Sequence, residues 1–385
     1  MKINYPIFFT LFFSITQMFS QSNIVNIPDV NFKNYLLENS SINANNDNEI
    51  QVAEAEAFSG KIDVKGSGKL ESLRVKDLTG IEAFTSLTAL DCEFNGLTNI
   101  NVSQNIKLLD LHCSNNQISS LDVSKNTNLE ELECFNNKIT TLDISQNLEL
   151  VKLWCNNNLL SNLDVTKNVR LRLLEIEENQ FTNLDVSKNI ELTTLVISKN
   201  NFTNIDISNN RNLLTFYARA NDLESIDFST NFRLDDIVLI GNNLTFLDMS
   251  KRSNTTRLLA YANANLSCIK IEGNNFVPPT CVSNRRNGWC VDEETNYSEK
   301  CETASVNKES FSEQIIIYPN PLEDILQISL KTNATIKSVK IFNLLGKQLI
   351  ETQQRNIDIS MLLKGMYIVK IENSLSEIAV RKIVK

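Results

Sequence analysis

Residues 129 to 149 read LEELECFNNKITTLDISQNLE, and the string returns in altered form every 21 residues through the middle of the chain. Leucine opens the unit at Leu87, Leu108, Leu129, Leu150, Leu171, Leu192, Leu213 and Leu234. Three positions on stands an apolar column of Leu90, Leu111, Leu132, Leu153, Leu174, Leu195, Phe216, Ile237 and Leu258. Asparagine keeps the same step from Asn95 through Asn116, Asn137 and Asn158 to Asn263. A fixed period of this length means a solenoid, in which each unit buries its apolar face only against its neighbours. Such a stack offers a long, regular surface and seldom an enclosed catalytic cavity. The first expectation is therefore a binding protein.

Within one unit, Leu129, Leu132, Cys134 and Ile139 point inward, and Leu132-Glu133-Cys134 alternates as a short strand. Asn137 turns the chain, its amide bonding the backbone of the next rung so that buried polar groups are satisfied. Leu142 and Ile144 make a second inward pair on the return side. Asp143 and Asn147 suit the turn back, because Asx side chains cap their own backbone. The Asp column from Asp122 to Asp248 is open to two readings, turn caps or a ladder of cation ligands. The unit resembles the leucine-rich repeat family, in the LxxLxCxxNxLxxLDVSxN form found in secreted bacterial proteins. The resemblance covers roughly residues 70–266 and implies a horseshoe with short parallel strands. The last rung departs from it, with Thr255 in the leucine column and Leu266 one residue late, so regular stacking is expected to end there.

The strands leave three outward columns on the expected concave face. The middle one reads Asp91, His112, Glu133, Trp154, Glu175, Val196, Tyr217, Val238 and Leu259. Flanking columns add Glu93, Asp110, Glu131, Phe135, Lys152, Glu177, Arg219, Asp236, Arg257 and Tyr261. Aromatics ringed by charge on a solvent-facing sheet have the composition of an interaction hot spot. Their ring faces equally suit sugars, so the expected ligand is an extracellular protein or glycan. Asp91, His112, Glu133, Phe135, Trp154, Glu175, Tyr217, Arg219, Val238 and Tyr261 are the candidate contacts. Aromatics also simply favour strands, and a structural acidic surface protein without a specific ligand is the competing class.

The chain holds eight cysteines in two groups. Cys92, Cys113, Cys134 and Cys155 recur in register and point inward as small apolar filler. Rungs about 4.8 Å apart do not easily bring parallel side chains to the roughly 3.8 Å that a disulfide wants between Cβ atoms. Cys268, Cys281, Cys290 and Cys301 cluster past the last repeat, where disulfides would staple the exposed end of the core. Four cysteines allow three pairings. The nested one, Cys268–Cys301 around Cys281–Cys290, is the working hypothesis.

The net charge is −9, and it is uneven: from residue 306 onward Lys and Arg number 11 against 8 Asp and Glu, a balance of +3, which leaves −12 on the rest. An acidic solenoid lacks the basic face that nucleic acid needs. Lys2 followed by the apolar run to Phe19 and by Ser20-Gln21-Ser22 predicts a secretory signal over residues 1–22. Residues 23–69 are expected to form a helical cap. Its Asn43-x-Asn45-x-Asp47-x-Glu49-x-x-x-x-Glu54 spacing resembles a calcium-binding EF-hand loop. That likeness implies weak calcium binding, with Asn43, Asn45, Asp47 and Glu54 offering side chains and Glu49 its carbonyl. Asn at position one and Asn48 in place of the usual Gly depart from the pattern. The cysteine cap over 267–303 and a linker over 304–312 lead to seven short predicted strands in 313–385, a small immunoglobulin-like β-sandwich. Tyr318-Pro319-Asn320-Pro321, Ile341-Phe342-Asn343-Leu344-Leu345-Gly346-Lys347, Gly365-Met366-Tyr367 and the basic end from Arg381 through Lys382 to Lys385 resemble the C-terminal sorting domain of the type IX secretion system. The resemblance implies export across the outer membrane, with that machinery as a partner, and release or attachment at the cell surface.

No catalytic constellation emerges. His112, the chain's one histidine, has no nucleophile beside it, since Cys113 faces inward. Gly66-Ser67-Gly68-Lys69 lacks the earlier glycine and the following Ser or Thr of a phosphate loop. Glu131 with Glu133, and Glu175 with Glu177, share a face as glycosidase carboxylates do, but on an open sheet without walls to shift their pKa values. The expectation is a non-enzymatic, exported recognition protein.

Overall fold

The computed structural model describes residues 23–251, 255–273, 278–281, 288–301, 315–318, 324–330, 335–343, 346–374 and 378–385. The expected signal over 1–22, the linker over 304–312, and Pro319, Asn320 and Pro321 lie outside them. The chain divides into two units, residues 1–301 and 302–385.

The first unit begins with helices α1 (Val30–Glu38) and α2 (Val52–Ala57). Asp29 caps α1, one oxygen accepting from the Asn31 and Phe32 amides at 2.9 Å each. Its other oxygen accepts from Lys76 and Asp77 N–H groups, tying the cap to the first turns of the stack. Glu54 accepts from the Gln51 amide at 3.0 Å at the start of α2, the reciprocal half of a capping box. Phe32, Leu36, Ile42 and Ile50 are buried against the solenoid core.

Eleven short strands then stack in parallel: β1 (Lys61–Asp63), β2 (Ala89–Asp91), β3 (Asp110–His112), β4 (Glu131–Glu133), β5 (Lys152–Trp154), β6 (Leu173–Glu175), β7 (Thr194–Val196), β8 (Thr215–Tyr217), β9 (Asp236–Val238), and, beyond β10 (Phe246–Asp248), β11 (Arg257–Leu259) and, beyond β12 (Cys268–Lys270), β13 (Gly288–Cys290). The middle residue of each rung is buried, as Leu111, Leu132 and Leu153 are completely. A smaller parallel sheet of β10, β12 and β14 (Asn296–Ser298) covers the return side of the last turns.

The sheet is longer than the repeat pattern at both ends. β1 lies within the expected cap and pairs Ile62 with Leu90. Stacking does not end at Leu266 either: β11 pairs in register with β9, and β13 continues it by setting Trp289 beside Leu258 and Cys290 beside Leu259. Thr255 fits the leucine column because its hydroxyl donates to the Leu234 carbonyl at 2.9 Å. The Trp289 indole N–H donates in turn to the Thr255 carbonyl at 2.9 Å.

Two asparagine ladders hold the turns. The first reaches back one rung, where the sequence suggested it reaches forward: Asn137 Nδ2 donates to the carbonyls of Cys113 and Cys134, while its oxygen accepts from Ile118 N. The second (Asn105, Asn126, Asn147, Asn168, Asn189, Asn210 and Asn231) is fully buried, each amide donating to two carbonyls of preceding turns. At the end of the first ladder Asp292 takes the next asparagine's place, accepting from Ala262 and Asn263 N–H at 2.9 Å. The Asp column is a set of turn caps: Asp122, Asp143, Asp164, Asp185 and Asp206 each accept from the amide two residues on at 2.9 Å.

Cys268 is bonded to Cys301 and Cys281 to Cys290, the nested arrangement. Cys92, Cys113, Cys134 and Cys155 are buried free thiols. Gly288 has φ +81°, and a side chain there would strike the Thr280 carbonyl at 2.0 Å, so only glycine lets the 278–281 segment cross β13.

The second unit is a two-sheet antiparallel sandwich. One sheet holds β15 (Ile315–Tyr318), β16 (Ile325–Leu330) and β19 (Asn356–Asp358); the other orders β18 (Gln348–Thr352), β17 (Ile336–Asn343), β20 (Met366–Asn373) and β21 (Ile378–Val384). Leu326, Val339, Ile341, Ile359, Val369 and Ile371 fill the space between. Gly346 turns β17 into β18 at φ +78°. Gly365 exchanges two backbone hydrogen bonds with Lys385 at 2.9 Å, and the Lys385 ammonium donates to the carbonyls of Ile359 and Ser360. Lys382 is exposed on β21. Among the described residues no helix is long and apolar enough to cross a membrane.

Candidate functional site

Because the rung step is constant, side chains 21 residues apart stand side by side on the outer face of the sheet. That face falls into three stretches. At β1 and β2 it is closed by ion pairs: Lys61 lies 3.2 Å from Asp91, and Lys65 pairs with Glu93. Asp91 is only 5% exposed and Glu93 4%. Asp91 is therefore withdrawn from the candidate contacts, because β1, unseen in the repeat pattern, supplies the lysine that covers it.

From β3 to β6 the face is open. His112, Glu133, Trp154 and Glu175 follow one another in the middle column, all half-buried, with Phe135 beside them. Lys152 binds Glu131 at 2.9 Å and stands 5.9 Å over the Trp154 ring. Glu175 accepts from the Asn156 amide at 3.0 Å. Burial among other carboxylates is felt here: desolvation raises the carboxyl pKa values of Glu133 and Asp110 above the usual range, and nearby Glu131 adds to both. The Lys152 ammonium is raised by its bond to Glu131. Inside the sheet, burial pushes the Cys134 thiol up to about 12, so these thiols stay protonated and unreactive.

From β8 to β13 the face is occupied by the chain itself. The Tyr217 hydroxyl donates to Asp236 at 2.5 Å, and Arg257 binds both Asp236 oxygens at 2.7 and 2.9 Å while stacking on the Tyr217 ring at 5.6 Å. Val238, Leu259 and Cys290 form a separate buried cluster with Tyr217, Ile240 and Tyr261 packed against it. Val238, at 6% exposure, is likewise withdrawn as a contact residue. The physical reason is the additional rung β13, which aims Cys290 and its disulfide onto the sheet face. Arg219 remains exposed at the edge.

The EF-hand-like loop is closed by its own hydrogen bonds. Glu54 accepts from the Ala44, Asn45 and Gln51 amides. Asp47 accepts from Glu49 N and from the Asn45 and Gln51 side-chain amides, and Asn45 accepts from Asp47 N. Lys33 binds the Glu49 carboxylate at 2.6 Å. Asn43 is buried, with its Oδ1 lacking a partner.

Residues 316–385 match the family model described as the secretion system C-terminal sorting domain. The chain is a leucine-rich repeat solenoid carrying a type IX sorting domain. It is directed through that pathway, to be released or held at the outer face of the outer membrane. No curated protein matches the chain. Among solved structures it is similar to a leucine-rich repeat protein of Leptospira interrogans, at 19% identity, 57% of this chain, 63% of that one and a TM-score of 0.44. Internalin C2 of Listeria monocytogenes is similar at 19% identity over 57% of this chain and 98% of its own, with a TM-score of 0.48. The functional domain of InlJ from Listeria monocytogenes, which includes a cysteine ladder, covers 94% of this chain and 99% of its own at 18% identity and a TM-score of 0.36.

Proposed function

We propose that the chain is a non-enzymatic recognition protein that binds an extracellular protein partner through the open β3–β6 face. The observation that carries this reading is the contrast within one sheet: Trp154 and Phe135 stay partly exposed among Asp110, Glu131, Glu133 and Glu175, while both flanking stretches are already covered. A large aromatic in an acidic field anchors a partner by desolvation, and the surrounding carboxylates favour a basic rim on that partner. A glycan stacking on Trp154 is the second ligand class the same ring can serve. The carboxylate pairs Glu131–Glu133 and Glu175–Glu177 stand on an open sheet, which suits contact more than hydrolysis.

The test is binding of the full chain to arrays of extracellular proteins and glycans, with Trp154→Ala and Tyr217→Phe as paired variants of verified fold. Trp154→Ala is expected to weaken the hit at least about 30-fold, as loss of a hot-spot aromatic does; Tyr217→Phe is expected to leave it unchanged. No hit, or one indifferent to Trp154, moves the reading to an acidic structural surface protein.

For the N-terminal loop, calcium has to displace the amides that now occupy Glu54 and Asp47, so the proposed binding is weak, in the millimolar range typical of extracellular sites, on the order of 10⁻⁴–10⁻³ M. Titration calorimetry that shows no calcium heat lost on Asp47→Asn removes this element.

A further inference from the structure

The register of β3 and β4 sets the chain's one histidine against two carboxylates. His112 Nε2 lies 3.3 Å from Glu131 Oε1 and 3.9 Å from Glu133 Oε1. The first contact is not aligned as a hydrogen bond and the second is too long for one, so Nε2 is buried without a hydrogen-bond partner. A buried imidazole nitrogen that faces two carboxylate oxygens and bonds to neither has an unmet requirement. Among the described residues this is the one group of three or more such side chains whose donor atoms converge, all within 4.8 Å. We propose that His112, Glu131 and Glu133 form a site for a divalent transition-metal ion of the zinc class on the outer face of the sheet.

The spacing suits the ion. Two ligands held about 2.0–2.1 Å from a tetrahedral zinc stand roughly 3.4 Å apart, close to the His112–Glu131 separation. Glu133 Oε1 stands at 3.9 Å from the same nitrogen, so its side chain has to swing inward for the three ligand atoms, all within 4.8 Å of one another, to close on one ion. One imidazole and two carboxylates make a donor set for zinc and its neighbours; calcium prefers oxygen alone and more of it. Lys152 holds the other Glu131 oxygen at 2.9 Å, which fixes the carboxylate with Oε1 towards His112, the outer-shell arrangement that orients metal ligands. Asp110 adds a further negative charge beside the cluster. Three protein ligands leave a fourth position open to water or to a side chain brought by another molecule. Desolvated Cys113 and Cys134 lie on the opposite side of the same strands and do not compete.

Zinc chloride titrated calorimetrically into the full chain, in chelator-stripped buffer at neutral pH, tests the site. The expected result is one equivalent bound, with affinity reduced at least about ten-fold in both His112→Gln and Glu133→Gln and unchanged in Glu177→Gln. Cobalt substitution should give visible d–d absorption of a four-coordinate site that His112→Gln abolishes. Circular dichroism checks each variant, and the second ligand variant keeps the test decisive should the first misfold. Absence of binding up to about millimolar zinc, or zinc binding of equal affinity in both ligand variants, overturns the proposal. It stands whether or not the partner reading of the β3–β6 face holds.

Discussion

The β3–β6 and β8–β13 stretches of the sheet are built on the same repeat and carry comparable mixtures of aromatic, charged and apolar residues, yet they end in opposite states. In the first, Trp154 is half-exposed, His112 Nε2 lacks a hydrogen-bond partner and Glu133 is held above its usual pKa by desolvation. In the second, Tyr217 is fastened to Asp236 and Arg257, and Val238 and Leu259 are buried beneath Cys290. The outward columns alone do not decide which residues remain available to a ligand. What decides it is whether a neighbouring turn supplies a cover, and only the end of a solenoid has an irregular turn to do so.

The largest expected effect comes from removing that cover. Replacing both Cys281 and Cys290 by alanine should cost about 2–4 kcal/mol of stability, the usual loss for a small disulfide loop, and should expose Val238 and Leu259. The chain has two tryptophans, one in each stretch. In a Trp154→Phe background, Trp289 should shift its emission to the red when the disulfide is removed. In a Trp289→Phe background, Trp154 should not move. Equal shifts at both positions would mean that the two stretches are coupled and respond as one.

Much of this was legible beforehand because it is periodic. Leu132, Cys134 and Asn137 repeat at a constant step, so their burial follows from counting. The seven strands of the C-terminal sandwich follow likewise from alternation. What escaped is what breaks the step. β1 precedes β2 by 28 residues and β13 follows β11 by 31, measured from Ile62 to Leu90 and from Leu258 to Trp289. Neither strand fits a 21-residue frame, so the lysine over Asp91 and the disulfide over Val238 were invisible. Asp292 does the work of an asparagine that the pattern no longer requires at that distance. The His112–Glu131–Glu133 group was hidden differently. All three residues belong to the outward columns, but convergence on one nitrogen depends on side-chain rotamers and on Lys152 turning Glu131, which column position does not report. A search for histidine beside carboxylates on adjacent rungs would have found it.

A smaller effect tests the electrostatic half of the comparison through pH. Glu133 has its folded pKa raised above 4.5, first by desolvation. The native state then binds more protons than the unfolded chain as pH rises through that window, so the stability this group contributes is full below 4.5 and is lost as pH climbs through the folded value. Asp122, Asp143 and Asp206 act in the opposite sense: their turn hydrogen bonds lower the folded pKa, and their contribution is present above 3.8 and lost as pH falls beneath it. Urea melts with a chelator present should therefore show Glu133→Gln gaining on the wild type between pH 4.5 and 7, while Asp143→Asn loses ground at neutral pH and converges with the wild type in acid. If Glu133→Gln instead falls behind the wild type as pH rises, attraction from His112 and Lys65 outweighs desolvation at this carboxylate, and the open stretch is a balanced ion-pair network like its β8–β13 counterpart.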